Sequence, residues 1–450
     1  MDTDNLFGTE RVGRILLKIA PPVMLAQLIQ ALYNIVDSFF VGRYSQTGLT
    51  ALSIVYPLQL LMIALAVGTG VGINTRVAFY LGLGERDRAE QIAGLATRLG
   101  LALWAVFAAV CCLLLPAYAR LSTQSEAIIR DVVLYGRIVC AGSIGLFLES
   151  VWTKVIQADG DMRTPMLAQI VGAATNIALD PVLIWGLIGL PRMGIAGAAV
   201  ATVLGQVAAA LIVRKKGCRP APPRAVWAAG VRAVYRAGIP NILMQSAYTF
   251  YIFGLNLVLA GFSDQAVTAL GIYYKWQTLI FIPLGSMQTC IVPVISYNLA
   301  AGRVDRCRKT LSAALIGGMG LISLGTLAFW LIPEPLLRVF TSDPRVIAVG
   351  VQGFPLIGSS FVPMVSSLLF PVFFQAIGRA LVSSLLTVLR TVVLFVPLGF
   401  LFSRLGLAWF WVAFPVTEVT TSAVGLACYR RQLRAWQREA ARAPQPAAIE

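Results

Sequence analysis

The chain of 450 residues contains no histidine. Histidine metal ligands, histidine general bases and histidine proton relays are therefore excluded, and any proton chemistry must use carboxylates. Charged residues make up only 12% of the sequence, whereas an ordinary soluble domain carries about 25%. This composition argues against a soluble enzyme.

Cysteine is also sparse, with seven residues and no CxxC pair. Most of the cysteines stand inside apolar runs, which is typical of small core residues rather than disulfides or zinc ligands. The first residues are polar and acidic and lack a small-residue cleavage site, so no cleavable signal is expected. We predict that the first helix acts as its own insertion signal.

Hydrophobic residues, in contrast, make up 58% of the chain. A membrane-spanning helix needs about 20 apolar residues, and the sequence contains enough long apolar runs for roughly twelve such helices. The fold class predicted is therefore an all-α integral membrane protein. The spans are expected near residues 14–42, 48–82, 91–116, 125–157, 164–187, 194–214, 233–260, 265–300, 307–332, 345–376, 381–403 and 407–429.

The excess of basic residues gives a net charge of +16, and these residues concentrate in alternate loops. Arg86 and Arg88, the basic run after residue 213, Arg303 and Arg306 all fall in one set of loops. The positive-inside rule then predicts that both termini are cytoplasmic. No soluble module remains that could bind nucleic acid, so no nucleic-acid partner is expected.

An internal repeat is the most specific signal in the sequence. Shifting the chain by 218 residues places 50–52 (Thr-Ala-Leu) on 268–270, Gly84 on Gly302, and 157–158 (Gln-Ala) on 375–376. With six helices in each copy, the two lobes have parallel orientation. We predict an N-terminal lobe over 1–213, a basic cytoplasmic linker over 214–231, a C-terminal lobe over 232–430 and a cytoplasmic tail over 431–450.

Charged residues inside the spans are costly in a bilayer and mark candidate functional positions. Arg76 and Lys154 lie near the basic loops, where long side chains can reach water, so structural roles are expected for both. Arg390 and Glu418 lie near the middle of the last two spans and are expected to pair. For Lys275 and Glu149, cavity lining and structural pairing remain equally open.

Asp37 and Asp180 are the strongest candidates. Both lie away from the basic loops, and Asn34 and Asn176 stand on the same helix faces at spacings of three and four residues. Two carboxylates and two amides at similar depth can bind a proton or a bare cation. The repeat partners of the acids, at positions 255 and 398, are both leucine. A purely architectural role would be expected in both lobes, so the acids are specific to the first lobe. An aromatic ring such as that of Tyr33 can attract a flat organic cation.

Several stretches resemble the multidrug and toxic compound extrusion (MATE) family of the MOP superfamily. They are residues 34–37 running into 40–43, the IQADGDMRTPM run at 156–166, NIALDPVLIWG at 176–186, GIAGAAVATVLGQ at 194–206 and IVPVISYNLAAG at 291–302. The resemblance implies two six-helix lobes around a V-shaped cavity. It also implies export of organic cations by antiport with H⁺ or Na⁺, without a cofactor.

The resemblance also implies roles for individual residues. Asp37, Asn176 and Asp180 match a cation site in the first lobe, where Na⁺ is an alternative to a proton. Tyr135 and Thr202 resemble further members of that network, and Gln30 resembles a cavity position. The complete set expected for ion coupling is Asp37, Asp180, Asn176, Asn34, Tyr135 and Thr202, and the set expected for substrate is Gln30, Tyr33, Asp37 and Arg390.

Other functions remain open at this point. A flippase for lipid-linked sugars shares the architecture, but its cavity is expected to be rich in basic residues, and this chain offers mainly Arg390 and Lys275. A membrane enzyme would need a nucleophile or metal motif, and neither GxSxG nor HExxH occurs. A channel would carry flux that cannot run uphill. The expected setting is a monomer in the lipid bilayer of a bacterial inner membrane.

Overall fold

The computed structural model describes residues 4–187, 189 and 191–442, and these residues are almost entirely helical. The α-helices in chain order are α1 (Val12–Tyr44), α2 (Gln46–Gly82), α3 (Arg86–Ser122), α4 (Glu126–Gly142), α5 (Ile144–Ala158), α6 (Arg163–Trp185), α7 (Ile195–Gly217), α8 (Trp227–Ala260), α9 (Asp264–Ile280), α10 (Ile282–Ala300), α11 (Val304–Leu331), α12 (Pro333–Arg338), α13 (Pro344–Ser359), α14 (Phe361–Ala376), α15 (Ala380–Val388), α16 (Val396–Ser403), α17 (Leu407–Phe410) and α18 (Ala413–Arg442). Short π-helices occupy Asp4–Thr9 and Leu389–Phe395.

Within these described ranges, nine helices are long and apolar enough to cross a membrane. Three further pairs, α4 with α5, α9 with α10, and α13 with α14, are bent by 40° to 50° at a short break, and counting each pair as one span gives twelve. The spans expected at 125–157, 265–300 and 345–376 are therefore each built from two helices with a bend between them. At two of the breaks a serine hydroxyl bonds the carbonyl three residues earlier: Ser143 bonds Cys140 at 2.7 Å, and Ser360 bonds Ile357 at 2.6 Å.

The predicted linker and tail both contain helical residues. The linker over 214–231 is helical at its two ends, because α7 continues to Gly217 and α8 already begins at Trp227. The tail over 431–450 is likewise helical as far as Arg442, and residues 443–450 lie outside the described residues. In both cases the helix extends past the apolar run into a basic stretch, where hydropathy no longer marks its end.

The repeat is visible in backbone geometry. Gly84 and Gly302 both follow a helix with positive φ, at 77° and 71°, and Gly160 and Gly378 do so at 83° and 78°. Both pairs are related by the 218-residue shift. A left-handed backbone at these turns favours glycine, since a side chain would be strained there.

The two lobes pack against each other at the end that carries the basic loops. A Cβ on Gly72 of α2 would lie 2.3 Å from the carbonyl oxygen of Val234 in α8. A Cβ on Gly82 would lie 2.1 Å from that of Tyr297 in α10. The lack of side chains at these positions lets the backbones of the two lobes touch, and a chamber lies between the lobes beyond this contact.

Candidate functional site

The two acids singled out by the sequence lie together in the first lobe. Asp37 of α1 is 8% exposed and Asp180 of α6 is fully buried, and the two carboxylates are within electrostatic reach of each other. Neither forms an ion pair with a lysine or arginine in the described part of the chain. Buried carboxylates without a base are uncommon because the charge is poorly solvated.

An amide and three hydroxyls surround the acids. The Asn176 side chain donates to Asp180 and to Thr202, each at 3.5 Å, and Thr202 in turn donates to the carbonyl of Ala198 at 3.0 Å. Tyr33 and Tyr135 lie near Thr202, and Gln59 donates to the Tyr135 hydroxyl at 3.4 Å. The structure thus brings five of the six residues expected for ion coupling into one cluster, called here the acid cluster: Asp37, Tyr135, Asn176, Asp180 and Thr202.

Asn34 and Gln30 lie beside the acid cluster, on the same helix as Asp37. Gln30 donates from its side-chain amide to Asn34 Oδ1 at 3.5 Å. Both residues line a cavity of about 400 Å³ together with Tyr33, Asn176 and Thr202. Gln30 and Tyr33 line this cavity, and Asp37 lies within electrostatic reach of Tyr33. Three of the four residues expected for substrate binding are therefore at or beside the cavity.

Close helix packing places the acid cluster. A Cβ on Gly205 of α7 would lie 2.7 Å from the Gly172 carbonyl oxygen of α6 and 3.0 Å from the Asn176 Cβ. Glycine at both positions lets the two helices approach and brings Asn176 against Thr202. Pro181 lacks a backbone N–H, so a carbonyl one turn earlier in α6 is left without its helical partner next to Asp180.

Three oxygen atoms of the acid cluster have no hydrogen-bond partner among the described residues. They are Asp37 Oδ1, Asn176 Oδ1 and Asp180 Oδ2, and all three are buried. A buried acceptor without a partner is rare and calls for a ligand or water. Carboxylate and amide oxygens suit a proton or a small hard cation.

The cavity beside the acid cluster is the first of three that adjoin. It shares Glu149 and Gln169 with a cavity of about 240 Å³, which in turn shares Gln27 and Lys154 with a cavity of about 540 Å³ between the lobes. The shared walls define one chamber that leads from the first lobe to the second. The cavity of 540 Å³ is called here the central cavity.

Glu149 and Lys154 of α5 both line this chamber. Glu149 accepts hydrogen bonds from Thr153 at 2.8 Å and Gln169 at 3.3 Å, and the Lys154 ammonium donates to Gln157 at 2.8 Å. Lys154, for which a structural role is expected from the sequence, thus lies in the cavity wall. The signal was present in the sequence, because the polar residues of α5 recur at helical spacing on one face.

Arg390 lies in the other lobe, away from the acid cluster. It sits in the π-helix Leu389–Phe395 and bonds Glu418 of α18 at 2.6 Å, with both side chains buried. Glu418 also accepts a hydrogen bond from Ser367, and the Arg390 guanidinium lies 5.1 Å from the Phe395 ring. The predicted pairing is confirmed, whereas the substrate contact expected of Arg390 stays a prediction.

Lys275 is exposed. Its ammonium lies 4.9 Å from the centre of the Phe340 ring. The flippase alternative depends on two basic residues, Arg390 and Lys275. Arg390 is neutralised by Glu418, and Lys275 lies outside the three cavities of the chamber.

Comparison with known proteins gives a consistent result. The family model described as MatE matches residues 22–182 and again residues 240–401. The two matches begin 218 residues apart, which confirms the predicted two-lobe repeat and the resemblance drawn from the sequence motifs. Together they cover well over half of the chain.

Individual relatives are similar along most of their length. The chain is 25% identical over 433 residues to a protein named FAD transporter from Shewanella oneidensis, covering 93% of this chain and 94% of the relative. It is 25% identical over 374 residues to a probable multidrug resistance protein NorM from Thermotoga maritima, covering 79% and 78%. A MATE family multidrug resistance transporter of the MOP superfamily, solved in an outward-facing conformation, shares the fold with a TM-score of 0.90 at 21% identity, over 97% of this chain and 99% of that one.

Proposed function

The chain belongs to the MatE family of multi-pass membrane transporters, and from this premise we propose that it exports organic cations by antiport against H⁺ or Na⁺. The observation that carries the proposal is the pair of buried carboxylates, Asp37 and Asp180, which lack a basic partner among the described residues. Members of the family are transporters, and the chain is accordingly not an enzyme.

The coupling follows from competition for one negative site. A carboxylate in a poorly hydrated cavity favours its neutral, protonated form, whereas a nearby cation favours the ionised form. A proton or sodium ion bound at Asp37, Asn176 and Asp180 and an organic cation in the adjoining 400 Å³ cavity therefore oppose each other. Tyr33, whose ring lines that cavity, supplies an aromatic face for the cation.

Alternating access completes the cycle. The lobes touch through α2, α8 and α10 at the basic end, and we place this end and both termini in the cytoplasm by the positive-inside rule. The chamber then faces the outside of a bacterial inner membrane. Binding of the ion on this side displaces the drug, and rocking of the lobes exposes the site to the other side.

Proteoliposomes loaded with ethidium, a fluorescent organic cation, test the proposal. A proton gradient alone and a sodium gradient alone are imposed on wild type, Asp37→Asn and the control Asp264→Asn, which alters an exposed acid. We expect uphill movement under one gradient, its loss in Asp37→Asn and its retention in the control. Full uphill movement in a folded Asp37→Asn protein, or none in wild type under either gradient, would overturn the proposal.

Transport of an anionic flavin is a second candidate function. The relative from Shewanella oneidensis is named FAD transporter, and Lys154 provides a basic side chain in the chamber. Adding FAD to the same proteoliposomes in place of ethidium separates the two substrate classes. Gradient-driven FAD movement without ethidium movement would favour this second function over the first.

A further inference from the structure

The central cavity between the lobes differs chemically from the acid cluster. It encloses about 540 Å³, within the range of pockets that hold drug-sized ligands. Of the described residues that line it, none is aspartate or glutamate, and Lys154 carries the one formal charge. Its polar wall consists chiefly of side-chain amides: Gln27, Asn74, Asn241, Gln245, Gln277 and Gln288.

Lys154 has hydrogen-bonding capacity left over. Its ammonium carries three donors, and within the described chain its side-chain hydrogen bond goes to Gln157 at 2.8 Å. Glu149 lies within electrostatic reach but forms no ion pair with it in the described part of the chain. An ammonium with free donors facing a cavity is suited to an anionic group on a ligand.

The amides also have unused donors and acceptors. Neither Gln27 nor Gln245 makes a side-chain hydrogen bond in the part of the chain that the structure describes, and the side-chain oxygens of Asn74 and Asn241 are buried without a partner there. Such a wall matches a ligand that presents several donors and acceptors of its own. A purely apolar drug would leave these groups without partners, which disfavours its binding.

Two aromatic rings complete the lining. Tyr248 and Phe281 both face the central cavity, and Tyr248 is held edge-on against Tyr251 at 5.3 Å and bonds Gln277 at 3.3 Å. A fixed ring offers a surface for a flat heterocycle, which gains by stacking as well as by burial.

We propose that the central cavity is a second substrate subsite, which binds flat, hydrogen-bonding heterocycles that carry a phosphate or carboxylate, with Lys154 contacting the anion. The inference rests on the proposed transport function and extends its substrates from organic cations to anion-bearing and zwitterionic ring compounds. Asp37 does not interfere strongly. It lies ten residues beyond Gln27 in α1, about 15 Å along the helix, and the interaction between two charges weakens with their separation.

FMN and riboflavin form a matched pair of probes, because the two flavins differ only in a phosphate. Binding to the purified full-length protein in detergent is measured by flavin fluorescence anisotropy, which needs no ion gradient. A charge-assisted hydrogen bond to the phosphate predicts that FMN binds about tenfold or more tightly than riboflavin. Equal affinities in wild type would overturn the proposal.

Variants locate the contact. Lys154→Met is expected to abolish the preference for FMN, Lys154→Arg to keep most of it, and Lys275→Met, which alters an exposed lysine outside the cavity, to leave it unchanged. Ethidium binding to Lys275→Met should also be unchanged. A preference for FMN that survives in a folded Lys154→Met protein contradicts the assignment. Where this variant fails to fold, Gln245→Ala, expected to weaken both flavins, replaces it, and unchanged flavin binding in Gln245→Ala contradicts the proposal.

Two further measurements distinguish this subsite from a lipid-binding site and from the acid cluster. Displacement of FMN by micellar phosphatidylglycerol but not by adenosine monophosphate would assign the site to a lipid headgroup and overturn the heterocycle proposal. Loss of gradient-driven ethidium transport, in contrast, concerns antiport at the acid cluster, so a failure of that function is distinguishable from a failure of this subsite.

Discussion

Asn298 donates a 3.0 Å hydrogen bond from its side chain to the backbone carbonyl of Phe7, across 291 residues of chain. Arg306 donates a second bond to the same carbonyl at 2.8 Å and also bonds Asn298 at 2.9 Å. Phe7 leads directly into α1 of the first lobe, while Asn298 and Arg306 belong to α10 and α11 of the second. The N-terminal segment therefore ties the two lobes together at the basic end.

Replacement of Arg306 tests this tie. Arg306→Ala removes bonds to Asn298, to Phe7 and to the carbonyl of Glu10. A hydrogen bond to a charged group contributes about 1.5–3 kcal/mol. Because the three Arg306 bonds are only partly buried, we expect the variant to lose about 2–3 kcal/mol of unfolding free energy in total. Thermal unfolding in detergent measures it. Arg308→Ala, on the exposed side of the same helix, is the control, and equal melting temperatures would show that the tie contributes nothing.

The two acids of the first lobe are expected to act as one unit. Asp37→Asn and Asp180→Asn should each abolish gradient-driven ethidium transport, and the double variant should lose no more than either single one, because groups that share one step are not additive. Initial transport rates in proteoliposomes measure this. Two partial losses that multiply in the double variant would mean that the acids serve separate steps.

The glycines between α6 and α7 give a packing prediction. Gly205→Ala places a methyl group 2.7 Å from the Gly172 carbonyl oxygen, and overpacking of this kind costs about 1–3 kcal/mol. Gly320→Ala is the matched control, since a Cβ there meets nothing within 4 Å. Melting temperatures should fall for the first variant and hold or rise for the second. Transport by the Gly205 variant should also fall, because Asn176 is displaced from Thr202.

Arg390 and Glu418 yield a prediction that separates structure from transport. Arg390→Met alone leaves a buried carboxylate unpaired and should destabilise the protein by about 3–5 kcal/mol, whereas Arg390→Met with Glu418→Leu should recover most of the loss. Unfolding in denaturant measures both. If the folded double variant transports ethidium normally, Arg390 does not contact the substrate, and the expectation drawn from the sequence is wrong.

The sequence by itself determined the membrane class, the span positions, the repeat and the acid cluster of the first lobe. Hydropathy and the 218-residue shift are local properties of the chain, so they can be read without coordinates. The depth of Asp37 and Asp180 also follows from counting residues along a helix at about 1.5 Å each. The restriction of the two acids to the first lobe also follows from the sequence, because the repeat positions in the second lobe are leucines. One of them, Leu255, is fully buried.

Only the tertiary structure decided which helix faces meet. Lys154 and Gln245 come from different lobes, and hydropathy gives no measure of whether they line one cavity. The tie from Phe7 to Asn298 joins positions 291 residues apart, a contact that no local pattern encodes. The breaks at Ser143 and Ser360 are not visible in the hydropathy, because an apolar run looks the same in sequence whether its helix is straight or bent.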